Sequence, residues 1–80
     1  MPSYLLQHSH APADCAVAFA AWNGYDSPLR HRPATSTCLT GGHTLQWRVD
    51  AADADAALAL VPRLVRRTTV ATQVRDVEIP

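Results

Sequence analysis

The sequence predicts an α+β sandwich in which one antiparallel four-stranded sheet carries helices on a single face, in the order βαββαβ. Three observations predict it. A clean apolar–polar alternation runs from His43 to Val49 directly after Gly41-Gly42, as in a strand leaving a hairpin turn. Two alanine-rich segments with helical spacing, around 11–22 and 50–67, separate the strand-like stretches. The chain has 80 residues, 48% hydrophobic and 18% charged, which suits one globular domain spanning 1–80 and argues against disorder.

The first strand is expected from Pro2 to His8, where Tyr4, Leu5 and Leu6 suggest burial on both faces. Ala11-Pro12-Ala13-Asp14 reads as a helix start, because proline is tolerated in the first turn and an acid favours the helix dipole there. Cys15, Phe19 and Trp22 follow at spacings of four and three and form one apolar face. Asn23-Gly24 is a C-terminal stop. Tyr25 to Pro33 is a loop, and threonine-rich Thr35 to Thr40 is a second strand. On the third strand His43, Leu45, Trp47 and Val49 share one face, and Thr44, Gln46 and Arg48 the other. Asp50 opens the second helix, with Asp53 and Asp55 in its early turns. Pro62 should kink that helix or end it and start another short turn. Thr69 to Ile79 is the last strand.

This order is that of the ferredoxin-like fold. Its right-handed crossovers give the strand order 4-1-3-2, so the first strand lies beside the third. The end of the first strand then meets the Gly41-Gly42 hairpin. His8 and His10 stand two apart, so both rings point to one face, and His43 begins the neighbouring strand. Cys38 lies near the end of the second strand. Imidazole and thiolate are the usual ligands of zinc, copper and nickel. The expected metal ligands are His8, His10 and His43 with Cys38, and Cys15 is a weaker candidate. Four of them also have a plainer reading, Cys38 as a core residue. His8 can pair with a backbone group, His43 can simply flank the hairpin, and Cys15 shares the helix face of Phe19 and Trp22, where a free cysteine acts as a small apolar residue.

Seven basic and seven acidic side chains balance to zero net charge. That argues against a general nucleic-acid binder and an anionic-membrane binder. The N-terminal residues show no basic n-region, and no stretch approaches the roughly 18 apolar residues of a membrane span. A cytoplasmic location with reduced cysteines is therefore expected. No nucleophile elbow, P-loop, H-E-x-x-H or dinucleotide motif occurs, so no nucleotide cofactor is expected. Pro28-Leu29-Arg30-His31-Arg32-Pro33 reads either as a solvated loop or as an anion clamp, since arginine offers a bidentate fork.

The element order, His8-x-His10, the Gly41-Gly42-His43 hairpin, the opening Met1-Pro2-Ser3-Tyr4-Leu5 and the closing Val77-Glu78-Ile79 resemble a family. It is that of small stand-alone ferredoxin-like proteins of actinobacteria, which form dimeric α/β barrels and include a nickel-binding branch. The resemblance implies a homodimer packed through the sheet face that the helices leave open. The leading expectation is a cytosolic homodimer that sequesters or senses a transition metal (nickel, zinc or copper). The alternatives are a small dimeric-barrel enzyme of the isomerase or monooxygenase type, with His8, His43, His31 and Asp26 as candidates, or a non-catalytic binding module.

Overall fold

The computed structural model describes residues 1–80. It is an α+β fold built on a four-stranded antiparallel open sheet with few, short helices. The strands are β1 (Ser3–Ser9), β2 (Thr35–Ser36), β3 (Thr44–Asp50) and β4 (Thr69–Val74), in the spatial order β2-β3-β1-β4. β1 is central, with Leu6 opposite Trp47 on one side and Ala71 on the other.

Period two sorts the central strands cleanly. Tyr4, Leu6 and His8 of β1 and Leu45, Trp47 and Val49 of β3 face the core. The expectation that β1 is buried on both faces is corrected here, because Gln7 is exposed and Leu5 only half-buried. The opposite face carries Leu5, Gln7, Thr44, Gln46 and Arg48, and the helices leave it open.

The core closes with three short helices, α1 (Cys15–Ala20), α2 (Ala54–Leu58) and α3 (Arg63–Arg66). Asp53 caps α2, its Oδ1 accepting from the Ala56 N–H at 2.8 Å. Pro62 separates α2 from α3 and stands at the N-cap of the latter. Ala57, Val61 and Val65 from this region complete a core with Tyr4, Leu6 and Leu45. Fully burying side chains such as Leu6 and Val61 contributes about 1.5–3 kcal/mol each.

Three further expectations are corrected. β2 is only two residues long, because Cys38–Thr40 tighten into a 3₁₀ turn. The hydroxyl of Ser36 accepts from the Cys38 N–H, and the Thr37 carbonyl accepts from Thr40 and Gly42, so local polar groups compete with the ladder. β4 ends at Val74 rather than Ile79; Val77 and Ile79 have no strand to pair with and are exposed. α1 follows a 3₁₀ turn at Pro12–Asp14 and spans six residues, too short to bury a full stripe. Phe19 is accordingly 51% exposed. No helix is long and apolar enough to cross a membrane.

Candidate metal centre

β1 runs out at Ser9, and the chain turns there. Ser9 N–H donates to the Thr68 carbonyl and His10 N–H to the His43 carbonyl, each at 3.2 Å. The second bond fixes two ring-bearing residues side by side. From His10 the 3₁₀ turn leads into α1 and sets Cys15 at its first position. Across the sheet end, the hairpin between β2 and β3 is tied by Thr37, whose N–H donates to the Thr44 carbonyl at 2.9 Å. Gly41 takes φ 89° to close the 3₁₀ turn. Gly42 leaves room for Thr37, since a Cβ there would meet the Thr37 Oγ1 at 2.4 Å. His43 follows in a left-handed backbone conformation, φ 49°, which is uncommon for a residue with a side chain. The hairpin thus presents Cys38 and His43 to the same spot.

Four ligand atoms converge there. Nε2 of His10 lies 3.2 Å from Cys15 Sγ and 3.9 Å from Cys38 Sγ. Nδ1 of His43 lies 3.7 Å from Cys15 Sγ. All four atoms fall within 4.8 Å of one another, and all four residues are half-buried. Metal–ligand bonds of about 2.0–2.3 Å give a tetrahedron with edges of roughly 3.3–3.8 Å. Three of the six separations, 3.2, 3.7 and 3.9 Å, lie in or within about 0.1 Å of that range, and none exceeds 4.8 Å. The chemistry of the donors is equally suited, because two thiolates balance the charge of one divalent ion and two imidazoles complete its shell.

In the metal-free chain the Cys15 thiol is pushed up from its ordinary value, first by desolvation and then by the neighbouring Cys38. A coordinated ion reverses this, because a thiol bound to a metal gives up its proton. Neither cysteine is in a disulfide.

The structure brings His10, His43 and Cys38 together and adds Cys15, whose reading as plain core is corrected. It does not bring in His8. That side chain points into the core, 2% exposed, and its Nδ1 donates to the Val65 carbonyl at 3.0 Å. A carbonyl only accepts, so Nδ1 carries the proton and Nε2 is a bare acceptor. Burial lowers the His8 pKa, with the adjacent His10 acting in the same direction and the Val65 carbonyl against it. The rings of His8 and His10 lie 5.1 Å apart, and His8 Nε2 and His10 Nδ1 are the two buried side-chain nitrogens without a partner.

The H-x-H spacing misleads because alternation holds only along a strand, and His10 stands one residue past the end of β1. A different signal was available. His10 and Cys15 enclose four residues, and so do Cys38 and His43, giving H-x4-C followed by C-x4-H. His31 and Asp26 lie in the loop before β2, outside the four-residue group. Comparison of the chain with protein-family models, curated proteins and solved structures found no match.

Proposed function

We propose that this chain is a small metal-binding protein that holds one divalent transition-metal ion through His10, Cys15, Cys38 and His43, with a role in sequestration or sensing. The convergence of these four ligand atoms within 4.8 Å carries the reading. Four protein donors fill a tetrahedral shell and leave no open position for a substrate or water, which favours holding an ion over turning over a substrate. The donor set favours zinc among the three candidate metals. Two thiolates with two imidazoles are the donor set of tetrahedral zinc sites, whereas Cu(II) and Ni(II) suit square-planar nitrogen and oxygen ligands.

The ligands sit in short turns at one end of an 80-residue domain, where metal and folding energies couple directly. The open sheet face supports a homodimer as part of this reading, with Leu5 and the 65%-exposed Val70 on it. Kinship with the small stand-alone ferredoxin-like proteins and a cytoplasmic location belong to the same proposal, and reduced thiols suit that compartment.

Elemental analysis of tag-free protein, paired with its native mass, tests the reading. About one zinc per chain is expected, lost on Cys15→Ser with Cys38→Ser. Protein that carries no metal and takes up none on dialysis against zinc, nickel or copper would refute it.

A further inference from the structure

The Pro28–Pro33 loop takes no part in the metal centre, yet it is anchored to the core. Ser27 Oγ donates to the Leu60 carbonyl at 2.6 Å and accepts from the Leu29 N–H at 3.2 Å. Leu29 is buried in the core and anchors the loop. His31 sits in a left-handed conformation, φ 64°, between two arginines. Beneath the loop opens a cleft of about 290 Å³, with Phe19, Trp22, Leu45, Trp47, Arg30 and Arg32 among its lining.

We propose that this cleft binds a small aromatic carboxylate, with the ring against the two tryptophans and the carboxylate on Arg30 and Arg32. The inference is independent of the metal reading and rests on four observations.

First, the volume lies at the lower end of small-molecule pockets, roughly 300–1,000 Å³. Second, the cleft offers aromatic surface. The rings of Trp22 and Trp47 lie 5.6 Å apart, tilted by 48°, and Phe19 stands half-exposed beside them. Flat apolar rings gain both burial and ring–ring contact there. Third, the two arginines are unpaired. The one salt bridge in the molecule joins Arg48 to Asp76, and Arg66 is engaged by backbone carbonyls and Tyr25; Arg30 and Arg32, like Arg63, Arg67 and Arg75, have no side-chain partner, and of these five only Arg30 and Arg32 line the cleft. Fourth, the balance of the lining selects the anion. A carboxylate has two oxygens, so Arg30 and Arg32 can each donate to one of them, or one guanidinium can take both in a fork. A phosphate brings more charge and more bound water into a cleft that is mainly apolar.

Matched probes test this without knowledge of the natural ligand. 2-Naphthoate and neutral 2-naphthamide share shape and apolar area and differ in charge. Both would be titrated into ¹⁵N-labelled protein, with and without zinc, and followed by NMR. The naphthoate should shift the indole N–H signals of Trp22 and Trp47 and bind at least about tenfold more tightly than the amide. Arg30→Gln with Arg32→Gln should weaken naphthoate at least about tenfold and leave amide binding unchanged, in a chain whose spectrum otherwise shows the native fold. Equal affinity for the two probes, shifts confined to residues remote from both indoles, or no naphthoate binding at millimolar concentration would each overturn the proposal.

Discussion

The core beneath β1 and the ligand end just beyond it are a few residues apart and are held together by different physics. Leu6, Val61 and Val65 are fully buried apolar side chains whose contacts need nothing from outside. His10, Cys15, Cys38 and His43 are half-buried polar and soft groups that find mainly one another. The two thiols repel each other once ionised, and a divalent ion between the four donors would offset that repulsion. The core specifies the fold, and the four-residue cluster is where, on the proposed reading, a bound ion would add stability. His8 marks the border. It is a titratable ring treated as a core residue, tied to Val65 and lying 5.1 Å from the tilted ring of His10.

Substitutions separate the two regions. Leu6→Ala should cost about 2–5 kcal/mol, which approaches the whole stability of a domain this small. Chemical denaturation should show that loss with or without metal. At the other end, zinc at about a hundredfold excess over its Kd should add about 2.7 kcal/mol, a rise in Tm of roughly 10–20 °C. Calorimetry should show that rise in the wild type, its reversal by a chelator, and its absence in Cys15→Ser.

Gly42→Ala sharpens the contrast. The new Cβ would press on Thr37, which ties the hairpin carrying Cys38 and His43. Zinc affinity should fall by about tenfold or more, as for a lost supporting contact around a metal ligand, and isothermal titration would measure it. Asp53→Ala removes the cap of α2 on the core side and should cost about 1 kcal/mol with zinc affinity unchanged. The smallest expected effect is the pH dependence of the metal-free chain. His8 has its folded-state pKa below the ordinary 6.5, so the unfolded chain binds more protons in the window beneath that value. Its contribution is fully present above that value and is lost as pH falls towards the folded-state pKa. Denaturation between neutral and mildly acidic pH should show this slope, reduced in His8→Asn.

Much of the fold was legible because single residues carry strong local rules. The alternation through Leu45, Trp47 and Val49 pointed to a half-buried strand and Pro62 to a break in a helix, whereas Asp50, read as the helix opener, ends β3, and the cap of α2 falls on Asp53. The second strand was overread, since threonine composition does not reveal that Ser36 and Thr37 turn the backbone into a 3₁₀ turn at Cys38. The candidate site was half legible. Its position at the hairpin end followed from strand adjacency, and His10, His43 and Cys38 were named from it. Cys15 looked apolar because it shares spacing with Phe19 and Trp22, yet α1 is too short to bury that face. His8 looked like a ligand because it stands two from His10, yet only one of the pair lies on the strand. Both errors arise where regular structure stops, which periodicity does not announce.

X-ray absorption at the zinc edge of the tag-free protein tests the central claim most directly. Two sulfur ligands at about 2.3 Å and two nitrogen ligands at about 2.0–2.1 Å are expected, and Cys15→Ser with Cys38→Ser should leave no bound zinc to absorb. A zinc shell of nitrogen and oxygen alone, or a shell unchanged by removing both cysteines, would contradict the account.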